Sequence, residues 1–404
     1  MLSLAKTITS LTQQRRRWER LSQVPSGLQT AEPPTNPLKE VTGFGSNPGN
    51  LRMFTYVPDD LPSGAALVVV LHGCTQTAAG YDHGAGWSTL AARYGFALLL
   101  PEQQTANNPK RCFNWFLRGD TERGRGEALS IRQMVDRMVR DLAIDRRKIF
   151  VTGLSAGGAM TSVMLATYPD VFAGGAIIAG LPYRAATKVS EAYQSMFSVR
   201  ERTAGEWGDL VREASPHRGP WPRVSVWHGD ADAIVVPQNA AEIVKQWTDV
   251  HGLPAAPART DVVDGYPREV WCDASGEIAI ESYTITSMAH GTPLAPGSEG
   301  EQAGVAGAFL LDVGISSSYH IAKFFGLTGR VRNAPRRRAA IAPAARNGGS
   351  RETEPAQAVS ARTGGASRET EAAEAVSGRK PDSIAQHIHT IITKALAAGG
   401  LLKR

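Results

Sequence analysis

Cysteine is scarce. Three residues in 404, Cys74, Cys112 and Cys272, are too few for a disulfide scaffold and leave room for one bridge at most. Long apolar runs are also missing. No stretch approaches the roughly 20 residues of a membrane-spanning helix, so an integral α-helical membrane protein is excluded. The N-terminus, "MLSLAKTITSLTQQRRRWERL", does not read as a secretion signal: its charges follow a weak apolar portion, and no cleavage site follows a long apolar core. On the sequence alone the expected compartment is the cytoplasm. Residues 1–40 read instead as an amphipathic arm, with Leu4, Ile8, Leu11 and Leu21 roughly in phase.

A net charge of +6 hints at nucleic acid until it is located along the chain. Residues 329–347 hold six arginines and no acid, and Lys6, Arg15, Arg16, Arg17 and Arg20 oppose a single Glu19 near the start. These two stretches carry more than the whole excess. The body is therefore mildly acidic, and no nucleic-acid partner is expected.

What the chain does have is alternation. Between residues 51 and 327 the candidate strands are "LRMFTYV", "LVVVLH", "FALLLP", "KIFVTG", "GAIIAG", "RVSVWHG" and "IAIESYTIT", several of them apolar on both faces. The clearest helix runs from Glu127 to Leu142, where Ile131, Met134, Val135, Met138, Val139 and Leu142 form one stripe. The expected fold is α/β, a mostly parallel, doubly wound sheet with helices on both faces, spanning residues 41–327. Residues 181–222 interrupt the alternation. They read either as a cap beside the site or as a helical excursion packed on the sheet edge. Residues 328–381 read as a disordered linker, in which "SRETEPAQAVSAR" returns as "SRETEAAEAVSGR". Residues 382–404 read as a terminal amphipathic helix, a candidate for self-association or for docking on a polymer granule.

One segment carries chemistry. In "VTGLSAGGAM", Gly153-Leu-Ser155-Ala-Gly157 is a G-x-S-x-G turn with a strand before it and a helix after it. Such a turn strains the serine backbone, lifts the hydroxyl above the sheet and puts it at a helix N-terminus. A serine nucleophile needs a base oriented by a carboxylate, and in α/β-hydrolases the chain order is serine, acid, histidine. After Ser155, "HGDADAIV" offers Asp232, with Asp230 in reserve as the acid in the tight turn. "SMAHGTP" offers His290 on a Gly/Pro loop, ahead of His217, His251 and His320. The expected oxyanion donors are the backbone N–H groups of Ala156, next after the serine, and of Cys74, after the strand "VVVLH". His72 reads as a structural hydrogen-bonding residue. This chemistry requires neither metal nor organic cofactor.

Several blocks in order, "LHGCTQTAAGYDHGAGWSTLAARYGFALLLPEQ", "RCFNWF", "WHGDADAIVVPQNA", "MAHGTP" and "GISSSYHIAKFFGL", resemble the poly(3-hydroxybutyrate) depolymerase family of esterases, related to feruloyl and acetylxylan esterases. The likeness spans roughly residues 40–327. It implies an α/β-hydrolase fold and serine ester hydrolysis of a polyester or small ester, with Ser155, Asp232 and His290 as the triad. It also implies that Cys74 pairs with Cys112, bringing Trp115 and Phe113 near the substrate, and an extracellular location. The expected substrate is poly(3-hydroxybutyrate) or a short hydroxyalkanoate ester, with feruloyl and acetylxylan esters next. The rival from another class is an inert polymer-granule-binding protein.

Overall fold

Each of the seven apolar runs forms a strand of one ten-stranded sheet. In chain order the strands are β1 (Lys39–Val41), β2 (Arg52–Tyr56), β3 (Leu67–Leu71), β4 (Ala97–Glu102) and β5 (Ile149–Leu154). They continue with β6 (Gly174–Ile178), β7 (Arg223–Gly229), β8 (Arg259–Val263), β9 (Tyr266–Cys272) and β10 (Ile278–Ile285). Their order across the sheet is β1-β2-β4-β3-β5-β6-β7-β10-β9-β8. The core from β4 to β10 is parallel, and the antiparallel pairs sit at the two ends.

The computed structural model describes residues 36–329, and among them no helix is long and apolar enough to cross a membrane. The chain divides into two units, Met1–Arg337 and Arg338–Arg404. The N-terminal arm before residue 36, the Arg-rich linker with its repeat and the C-terminal helix of 382–404 lie outside the described residues.

Burial explains the unbroken apolar runs. Every residue of β3, β4, β5 and β6 is buried, so both sides of each strand must be apolar. Alternate residues of β3 feed separate cores. Leu67, Val69 and Leu71 pack with Ile131, Met134 and Met138 of the helix Gly126–Leu142 and with Met160 of the helix Ala156–Thr167. Val68 and Val70 belong to the opposite core, with Tyr81, Trp87, Leu90 and Ile321. Fully burying one such side chain contributes about 1.5–3 kcal/mol, so the expected 127–142 stripe is what seats its helix.

The excursion at 181–222 forms two helices, Val189–Phe197 and Ala204–Arg212, the second closed by a capping box between Thr203 and Glu206. The sheet also extends beyond the expected strands through the β8–β9 hairpin at one edge and β1 at the other. These pieces place β3, β5, β6, β7 and β10 side by side and parallel, with their carboxyl ends at one rim.

Candidate active site

Ser155 follows β5 directly and caps the helix Ala156–Thr167 with φ 57° and ψ −115°. A non-glycine residue rarely adopts that geometry, and it persists only where the surroundings impose it. The glycines supply those surroundings. A Cβ on Gly157 would lie 2.3 Å from Leu71 O, and one on Gly153 would lie 2.5 Å from Gly157 C. Helix and strand thus approach backbone to backbone, and Ser155 sits at the positive end of a twelve-residue helix.

Asp232 and His290 come from loops after β7 and β10. His290 Nδ1 donates to Asp232 Oδ2 at 2.6 Å. That bond fixes the tautomer and leaves Nε2 as the basic nitrogen. Asp232 Oδ1 accepts from the backbone N–H of Ile234 and Val235, both at 2.9 Å. Burial pushes the Asp232 carboxyl up, but His290 and His228 beside it more than offset this and hold it below the ordinary carboxylate range. His290 and Ser155 share a small cavity of about 20 Å³ with Gly73, Gln76, Ile234 and Phe309.

The other candidates lie elsewhere. Asp230 Oδ1 accepts from Ser287 N at 2.6 Å and so ties its turn to the loop after β10. His217 bonds Pro220 O, His251 bonds Pro222 O, and His320 bonds Asp264 Oδ2. Asp264, Glu301 and His320 bring ligand atoms within 4.8 Å of one another, the one such metal-type grouping among the described residues, and none of the three lines a cavity at Ser155.

Cys74 and Cys112 are joined by a disulfide. His72 stiffens the same loop: its Nδ1–H donates to Gly73 O at 2.7 Å, and its Nε2 accepts from Gln103 N at 3.1 Å. Burial lowers its pKa to about 4, so it stays neutral. Gly73 N donates to Gln76 Oε1, Thr75 N to Lys110 O and Ser155 N to Ile178 O. The N–H groups of Cys74 and Ala156 are not spent in this way among the described residues, and both residues border the same cavity as Ser155.

That second cavity, about 100 Å³, runs from Ser155 between Trp115 and Phe116 on one side and Leu181, Tyr193 and Met196 of the excursion on the other. Val189, half exposed, lies at its border. Phe113 corrects an expectation. It is fully buried against the His72 ring at 5.0 Å and lines neither cavity, whereas the adjacent Trp115 and Phe116 both border the cleft. Phe116 takes the place expected of it. Sequence reasoning also passed over His228, 3.3 Å from Asp232 Oδ2. A signal existed: "LVVVLHG" and "RVSVWHG" both end an apolar strand in His-Gly.

An open, mostly parallel sheet with a strained serine at a strand-to-helix turn defines the α/β-hydrolase class. Residues 55–265 match the family described as Esterase PHB depolymerase. The chain is 51% identical over 293 residues to poly(3-hydroxyalkanoate) depolymerase C of Paucimonas lemoignei, covering 72% of this chain and 70% of that one. It is 34% identical over 277 residues to an acetylxylan esterase of Coprinopsis cinerea, covering 66% of this chain and 72% of that one. Among solved structures, the acetyl xylan esterase from Aspergillus awamori superposes with a TM-score of 0.61 at 27% identity, covering 72% of this chain and 99% of that chain. The chain belongs to the esterase PHB depolymerase family and is a carboxylic ester hydrolase of the serine type. The likeness read from its motif blocks is thereby established.

Proposed function

We propose that the chain hydrolyses poly(3-hydroxybutyrate) or short hydroxyalkanoate esters through an acyl-enzyme on Ser155. The observation that carries this reading is the 2.6 Å His290–Asp232 pair in loops beside a serine held at φ 57°. His290 Nε2 takes the Ser155 proton as Oγ attacks the ester carbonyl. The carbonyl oxygen becomes an oxyanion held by the Cys74 and Ala156 N–H groups. As the tetrahedral intermediate collapses, His290 returns the proton to the departing alkoxide. A water then repeats the sequence on the acyl-enzyme, giving the free acid and restoring Ser155. Asp232 keeps the imidazole in its productive tautomer throughout and stabilises the imidazolium.

The lining of the cleft supports an acyl group: Trp115, Phe116, Leu181, Tyr193 and Met196 border the space beside Ser155. Acetyl esters of polysaccharide fit as well, and the acetylxylan esterase relatives make them the second reading. In this reading residues 181–222 cap the acyl site through Leu181, Tyr193 and Met196.

The experiment is 3-hydroxybutyrate release from amorphous poly(3-hydroxybutyrate), wild type against Ser155→Ala. Release that vanishes in the variant supports both nucleophile and polymer. No release from a sample that turns over p-nitrophenyl butyrate refutes the polymer assignment and directs the search to acetyl esters. Granule effects that persist in Ser155→Ala would instead point to a binding role.

A further inference from the structure

Two imidazoles reach Asp232, and the mechanism above uses one. The other, His228, is the penultimate residue of β7 and is buried. Its Nε2 lies 2.9 Å from Val235 O and 3.3 Å from Asp232 Oδ2. Its Nδ1 is buried without a hydrogen-bond partner among the described residues. A carbonyl only accepts, so Nε2 carries the proton and Nδ1 the lone pair. An apolar side chain would fill this space without stranding a desolvated ring nitrogen. What the imidazole adds is the Nε2–H.

That N–H bonds Val235 O and also lies against the carboxylate. Oδ1 accepts from the Ile234 and Val235 N–H groups and Oδ2 from His290, while His228 Nε2 stands 3.3 Å from Oδ2 on another side. We propose that His228 is a positioning residue for the triad, its Nε2–H fixing the plane of the Asp232 carboxylate through the oxygen that His290 binds. The proposal rests on the reading of Ser155, Asp232 and His290 as that triad.

The consequence is specific to the reacting groups. A second donor on Oδ2 draws charge from it. Without this donor the carboxylate interacts more strongly with the imidazolium formed at His290. The acid limb of kcat/KM then moves to higher pH. The ionisable surroundings do not obscure this. Asp232 faces His290 and His228 faces Asp232, whereas Asp230 is turned onto Ser287 N–H and Cys74, on the Ser155 side, is held in its disulfide.

The test measures kcat, KM and the pH profile of p-nitrophenyl butyrate hydrolysis for the full chain, His228→Leu and His228→Gln. The leucine variant is expected to lose about three- to tenfold in kcat with little change in KM, and its acid limb to rise by about half a pH unit. Glutamine, whose amide reaches the same place, is expected to restore both. An acid limb that stays put in His228→Leu overturns the proposal, whatever happens to kcat or melting temperature. Should that variant fail to fold, His228→Asn, whose amide falls short of Asp232, is compared with His228→Gln, and equal acid limbs overturn it. Asp232→Asn in the same panel separates the two readings. Full activity there means the triad itself is wrong. Low activity there with an unmoved His228→Leu limb means only the role of His228 is wrong.

Discussion

Replacing Gly157 by alanine strikes the contact on which the site is built. The added Cβ would stand 2.3 Å from Leu71 O and 2.6 Å from His72 O, both backbone atoms. Ordinary van der Waals contact begins near 3.4 Å. The end of β3 and the start of the helix Ala156–Thr167 must therefore part by about 1 Å, because neither oxygen can rotate away. Cys74 follows β3 by three residues and Ala156 opens the helix, so this movement separates the two proposed oxyanion donors. A misplacement of about 1 Å costs on the order of 10²-fold in rate. Overpacking of this kind costs roughly 1–3 kcal/mol of stability. The assay is kcat/KM for p-nitrophenyl butyrate alongside a thermal melt. Gly205→Ala is the control, since nothing lies within 4 Å of its Cβ. A Gly157→Ala enzyme as active and as stable as the control would refute the reasoning.

Three further outcomes follow. Asp232→Asn puts the wrong His290 tautomer in place and is expected to lower kcat about 10³- to 10⁴-fold with KM little changed; a loss under about tenfold contradicts the assigned role. Burial raises Glu127 to about 8 and Glu281 to about 7, so between pH 6.5 and 8 the folded protein keeps protons that the unfolded chain has shed, and stability falls as pH rises. His72, lowered to about 4 by burial, acts in the opposite sense only below about pH 6.5, where the unfolded imidazole takes up a proton. Thermal melts of Glu127→Gln should show a flatter decline across pH 6.5–8, and an unchanged slope contradicts the assignment. Met196→Ala opens the 100 Å³ cavity and should raise kcat/KM for p-nitrophenyl octanoate relative to butyrate; an unchanged ratio places the acyl chain elsewhere.

The sheet centre was legible because strands covered on both faces cannot hide. "LVVVL" and "GAIIAG" contain no polar side chain, and β3 and β6 are buried throughout. The edges were not. "RTDVV" and "YPREVWC" carry charges on a half-exposed hairpin, so β8 and β9 lack the apolar run that marked the others. At the site, Ser155 was legible from local strain chemistry, since the glycines around it have no other ready purpose. Where the aromatics point was not: Phe113 and Phe116 differ by three residues in an irregular segment, and no periodicity says which faces the cleft. His228 was passed over because it occupies an ordinary strand position, although the tight turn after β7 brings Asp232, four residues on, to within 3.3 Å of it.

The central claim is that Ser155 attacks the ester carbonyl. Treating the full chain with a p-nitrophenyl alkylphosphonate and mapping the adduct by mass spectrometry tests it directly, because the phosphonate traps the attacking oxygen. One adduct, confined to the peptide that carries Ser155 and absent from Ser155→Ala, is the expected result, with loss of p-nitrophenyl butyrate turnover in proportion to labelling. An adduct on another residue, or full turnover after stoichiometric labelling of Ser155, would contradict the account.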